Sequence, residues 1–144
     1  MAQEALPWAG QPESLAGKAL PGREVVFTRD QLVRYAGASL DFNPIHWSDT
    51  AAEELGLPGV IAHGMLTMGA ALRVVTDWIG DPSRVTSYSV RFLKPVVVDP
   101  VKGAEVRFGA EVREVRGTTA TISLTAEADG ARVLSQASVE VRLD

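Results

Sequence analysis

Asp41 and His46 close the segment Asp41-Phe-Asn-Pro-Ile-His46, with Asn43-Pro44 between them. Proline disfavours helical backbone at the residue before it, so the segment reads as a turn. A carboxylate and an imidazole joined by a turn can share one water molecule and move its protons. That chemistry adds water to a polarised double bond, or removes it. A second segment, Ala62-His63-Gly64-Met65, opens a long apolar run. A helix starting at Gly64 offers free N–H groups, and the positive end of its dipole, to an oxygen gaining negative charge. An acid/base pair and an oxyanion donor thus lie close together along the chain.

Each of these residues also has a plainer reading. An aspartate beside Asn-Pro commonly caps a turn, and a histidine commonly satisfies a backbone group. Asn43 is expected chiefly to hold the turn through its side chain, with substrate contact as a second role. His63 is expected chiefly to shape the helix entry by hydrogen bonding, again with substrate contact second. Asp41, His46 and His63 form a two-histidine, one-carboxylate set, but neither histidine has a recognised ligand spacing, so no metal is expected. No redox cofactor is expected either, since the glycines form no phosphate loop. Arg73, Arg84, Arg91, Lys94 and Lys102 are read as solvated surface before phosphate or carrier contacts. Met65, Met68 and Trp78 are read as core.

The elements that must position these groups fit one domain. The chain has 144 residues, 46% of them hydrophobic, enough to bury a core. It has no cysteine, which removes disulfides and zinc–thiolate sites and suits a cytoplasmic location. The N-terminus lacks the charged and apolar regions of a secretory signal. The uncharged stretch Val60 to Leu72 is too short to span a bilayer. A net charge of −4 argues against nonspecific nucleic-acid binding. Neither membrane nor nucleic acid is expected as a partner.

Residues 1–22, rich in proline and glycine, read as an arm, and residues 23–144 as the domain. Glu24 to Phe27 reads as a short strand. Thr28-Arg-Asp-Gln31 has capping-box spacing for a helix ending near Gly37. Ser48 caps a short helix from Asp49 to Leu55, stopped at Gly56. The helix Gly64 to Trp78 is apolar on nearly every side and belongs in the middle of the molecule. Val85 to Phe92 is a strand, and then three period-two segments follow. Their inward positions read Ala104 to Val112, Ala120 to Ala128, and Val133, Ser135, Ala137, Val139 and Val141. Gly117 and Asp129-Gly130 supply the turns. The fold class is α+β, an antiparallel sheet wrapped around a long central helix.

Tyr35-Ala-Gly-Ala-Ser39, Asp41-x-Asn43-Pro44-Ile45-His46, Ala62-His63-Gly64-Met65 and Phe92-x-Lys-Pro95-Val96 together resemble the MaoC-like hotdog dehydratases, the (R)-specific enoyl-thioester hydratases. Within them the chain is most similar to short actinobacterial single-hotdog members such as the B subunit of the mycobacterial (3R)-hydroxyacyl-ACP dehydratase. The likeness covers about residues 23 to 143. It implies a hotdog fold, Asp41 and His46 as the catalytic pair, and the Gly64 amide as donor to the thioester oxygen. It also implies an acyl-CoA or acyl-ACP substrate, and a homodimer or a heterodimer with a second hotdog subunit. The expected reaction is hydration of a trans-2-enoyl thioester or the reverse dehydration. Alternatives are a hotdog acyl-thioesterase and an acyl-binding subunit of a heterodimeric dehydratase. One departure concerns the turn: many members carry glycine before the aspartate, where this chain has Leu40. The expectation is an ordinary backbone at Leu40, with its side chain packed beside the dyad.

Overall fold

The computed structural model describes residues 11–144. A 3-10 turn, Pro12–Leu15, leads into strand β1 (Ala19–Phe27) and helix α1 (Arg29–Ser39). A 3-10 turn over Pro44–His46 and helix α2 (Asp49–Glu54) precede the long helix α3 (Gly64–Ile79). Strands β2 (Val85–Phe92), β3 (Ala104–Arg116), β4 (Thr119–Ala128), β5 (Ala131–Arg132) and β6 (Leu134–Arg142) complete the chain. All pairings are antiparallel, in the order β1-β3-β4-β6-β2, with β5 beside β4. No described helix is long and apolar enough to cross a membrane.

The core lies between the inner sheet face and α3. Val106, Val112, Ile122, Val139 and Val141 come from the strands and Ala71, Val74, Val75 and Ile79 from the helix, all essentially inaccessible to water. Tyr88 of β2 ties the two layers by donating its hydroxyl to the Met68 carbonyl at 2.7 Å. Burial alone raises the pKa of that phenol well above its usual value. The α3 helix is not enclosed on every side: Met65, expected in the core, is 62% exposed. Met65, Gly69, Arg73 and Asp77 recur at four-residue spacing along this open face.

The arm ends earlier than expected. Residues 19–22 belong to β1, and Leu15 and Leu20 are buried. Pro21-Gly22 reads as a breaker, but β1 is an edge strand, where a missing N–H and a bulge are tolerated. The pairing with β3 shifts register there, between Leu20 and Arg23. The first half of the arm, residues 1–10, lies outside the described residues. A second correction concerns β6. Gln136 has φ 46° and interrupts the alternation, so Leu134 turns inward in place of Ser135 before Ala137, Val139 and Val141 resume the pattern. The turn at Asp129-Gly130, with both φ values positive (50° and 69°), has the geometry that joins twisted strands.

Candidate active site

The site is built on three consecutive pieces of chain. Helix α1 starts at Thr28, whose N–H donates to Gln31 Oε1 at 3.2 Å, and runs two residues beyond Gly37. It stops because Leu40 adopts φ 62°, ψ 19°, a left-handed cap. Leucine therefore occupies the strained region and is 76% exposed, contrary to the expectation of an ordinary backbone and a packed side chain. The cap turns the chain so that Ser39 Oγ donates to the Tyr35 carbonyl and accepts the Asp41 N–H.

Asp41 Oδ1 then accepts the Asn43 N–H at 3.2 Å, and Asn43 Oδ1 accepts the Ile45 N–H at 3.3 Å. These two overlapping side-chain turns, with Pro44 opening the 3-10 turn, deliver His46 to the interior. Ser48 Oγ accepts the Ala51 N–H and starts α2 as expected. Arg29 reaches across to Asp49, holding that carboxyl below the usual range, and Asp49 in turn accepts the Val60 N–H. The strap from Gly59 to His63 is thereby fixed under the His46 turn, where Ile61 N–H donates to the Ile45 carbonyl.

His46 is buried, with 7% of its surface exposed. Its Nδ1–H donates to the Ile61 carbonyl at 2.7 Å, since a carbonyl can only accept. The neutral ring therefore keeps its lone pair on Nε2, which lies 3.8 Å from Asp41 Oδ2. Two acceptors at that separation both come within hydrogen-bond reach of one water oxygen at their common apex. The Asp41 side chain is about half exposed, so water reaches it. A cleft of about 290 Å³ is lined by His46, Gly64, Thr67, Phe92, Lys94 and Pro95, among others. The Gly64 N–H, first of α3, has no protein acceptor among the described residues. The Phe92 ring covers this residue so closely that a side chain at position 64 would press on it at 3.0 Å.

Of the expected site residues, His46 and Gly64 line the cleft, whereas Asp41, Asn43 and His63 are not among its lining residues. Asn43 holds the turn, as described above. His63 is 1% exposed, donates from Nε2 to the Asp41 carbonyl at 3.1 Å, and stacks on His46 with ring centres 3.8 Å apart and planes inclined by 21°. Tyr35 meets it edge-on at 4.7 Å. Burial depresses the His63 pKa, reinforced by His46 and opposed by Asp41. The ligating atoms of Asp41, His46 and His63 lie within 4.8 Å of one another. The stacked rings nevertheless do not fit a metal. Each nitrogen lone pair lies in its own ring plane, so the two run side by side instead of converging about 2.0–2.1 Å from each nitrogen. Ile61, whose carbonyl sets the His46 tautomer, and Phe92, which roofs Gly64, were not singled out as site residues. A backbone carbonyl leaves no mark on side-chain sequence.

The chain belongs to the MaoC like domain family, which matches residues 13–131. The hotdog fold of this family is the architecture described above. 3-Hydroxyacyl-thioester dehydratase X of Mycobacterium tuberculosis is 40% identical over 89 residues, covering 62% of this chain and 31% of that protein. A solved MaoC-like dehydratase superposes with a TM-score of 0.87 at 40% identity, over 90% of this chain and 40% of that one. The (R)-hydratase from A. caviae involved in PHA biosynthesis shares the fold alone at 24% identity, with a TM-score of 0.79 over 90% of this chain and 96% of that one. The chain thus spans about a third of the curated relative's length and nearly the whole of the (R)-hydratase.

Proposed function

We propose that this protein is a hydro-lyase acting on acyl thioesters, adding water to a trans-2-enoyl thioester or removing it from a (3R)-hydroxyacyl thioester. The observation that carries this reading is the pairing of Asp41 Oδ2 with the unprotonated Nε2 of His46, 3.8 Å apart, where His46 and Gly64 line one cleft and the half-exposed Asp41 stands beside it. In the hydration direction the dyad holds one water and takes its proton as the oxygen bonds to C3. Electrons move to the thioester oxygen, where the Gly64 N–H and the positive end of the sixteen-residue α3 helix stabilise the charge. The proton is then returned to C2 from the dyad, on the same face, so addition is syn. The resemblance of the chain to a 3-hydroxyacyl-thioester dehydratase supports the substrate class.

The substrate is an acyl-CoA or acyl-ACP, and the working unit pairs two hotdog subunits, identical or different. Leu40, Phe42, Trp47, Met65, Phe92 and Leu93 are each more than half exposed, and all lie on or next to the elements of the site. So much apolar surface beside a catalytic cleft suits a partner subunit and an acyl chain. Incubation with crotonyl-CoA tests the assignment. Loss of the enoyl absorbance without free thiol is the expected result, whereas thiol release would make the protein a thioesterase.

A further inference from the structure

The mechanism uses one of the two histidines in the chain. The other, His63, is the more deeply buried, and its Nδ1 has no hydrogen-bond partner among the described residues. Its position is set on three sides. Nε2 meets the Asp41 carbonyl at 3.1 Å, one ring face covers His46 at 3.8 Å, and Tyr35 closes the edge at 4.7 Å. Among the described residues, Asp41 and His46 are the charged groups that act on it, with the Tyr35 ring at its edge.

We propose that His63 is the positioning residue of the dyad: locked in its Nε2–H tautomer, it pins the backbone of Asp41 and backs the ring of His46, so that the moving proton resides on His46 alone. This inference rests on the hydro-lyase reading above and names how that site keeps its proton in one place.

The two tautomers follow from the acceptors. The Asp41 carbonyl requires a hydrogen on His63 Nε2, and the Ile61 carbonyl requires one on His46 Nδ1. The rings are therefore held in opposite neutral forms. A second proton on His46 goes to Nε2, beside the Asp41 carboxylate. A second proton on His63 would go to Nδ1, buried and without an acceptor, face to face with a ring that also becomes cationic. Burying an unpaired charge is far more costly than leaving the ring neutral. The hydrogen bond to the Asp41 carbonyl has a second consequence. Leu40 holds a left-handed turn just before Asp41, and the His63 donor secures the residue that follows it. A shift of about 1 Å in the carboxylate is enough to cost roughly 100-fold in rate.

Imidazole nitrogen NMR on the 144-residue chain tests this without substrate, and His46→Gln assigns the two rings by leaving one set of signals. The expected spectra show His63 as the Nε2–H form, staying neutral to a lower pH than an ordinary imidazole, and neutral His46 as the Nδ1–H form. His63 in the Nδ1–H form, or protonated as readily as a free imidazole, would overturn the proposal. Kinetics supply the second arm. His63→Gln, which keeps a donor for the Asp41 carbonyl, is expected to hold kcat within about tenfold, and His63→Leu to lose roughly 100-fold with little change in KM. The acid limb of the kcat/KM profile persists in His63→Gln. Disappearance of that limb, or equal losses in the glutamine and leucine variants at matched folded content, would contradict a positioning role. Because the spectra need no turnover, failure of the hydro-lyase reading would be recognised separately, by the absence of hydration with both tautomers as assigned.

Discussion

Asp41 Oδ2 and His46 Nε2 lie 3.8 Å apart, too far for a good hydrogen bond and close enough to share one water. His46 is turned by the Ile61 carbonyl and Asp41 by its own loop, so neither group depends on the other for its place.

That independence makes the dyad testable by substitution. Asp41→Asn and His46→Ala are each expected to lower turnover about 10²–10⁴-fold with the fold retained. The double variant is expected to lose far less than the product of the two, because both groups act on one water. Steady-state kinetics on the four proteins checks this, and strictly multiplicative losses would count against the shared water.

Leu40 carries its left-handed backbone with an exposed side chain, so glycine relieves strain there without removing buried contacts. Leu40→Gly is expected to raise stability by about 0.5–1 kcal/mol after the entropy of glycine is counted. Thermal unfolding measures it. A lower melting temperature would mean that the Leu40 side chain is packed in the working assembly.

Histidine burial links the fold to pH. The pKa of His63 is depressed below its ordinary 6.5 by desolvation. The unfolded chain therefore binds a proton that the folded chain refuses, and stability is full above about pH 6.5 and falls as the solution is acidified toward the folded value. Melting temperature is expected to drop between about pH 7 and pH 5, and to drop less in His63→Gln. An equal pH dependence in both proteins would show that other groups cause it.

The Tyr88 hydroxyl joins the edge strand β2 to the middle of α3 through the Met68 carbonyl. Tyr88→Phe is expected to cost about 0.5–1.5 kcal/mol while leaving the dyad intact. Denaturant unfolding reads the loss, and an unchanged midpoint would show that the bond contributes nothing net.

The assembly is checked by light scattering at micromolar concentration. An active particle of at least twice the 15.4 kDa chain mass is expected, and a stable active monomer would contradict the paired-subunit reading.

Much of this site was readable in the chain because it is local. Asp41, Asn43, Pro44 and His46 build their own turn from side-chain oxygens and a proline, and such bonds depend on spacing alone. The α3 helix and the strands β3 and β4 declared themselves by period. Features set by distant parts of the chain did not. Nothing near Pro21-Gly22 says that it lies on a sheet edge, where a breaker becomes a bulge. The Gln136 bulge exists to match β6 against its neighbours. The stacking of His46 on His63 arises only when the strap from Gly59 folds beneath the turn. The left-handed Leu40 misled for another reason: local preference opposes it, and the hydrogen bonds around Ser39 and Asp41 override that preference.

Chiral analysis of the product formed from crotonyl-CoA in heavy water tests the central claim most directly. The expected product is (R)-3-hydroxybutyryl-CoA, with deuterium at C2 on the face that received the oxygen at C3, and none of it forms in the Asp41→Asn and His46→Ala double variant. An (S) product, anti addition, or cleavage of the thioester would contradict it.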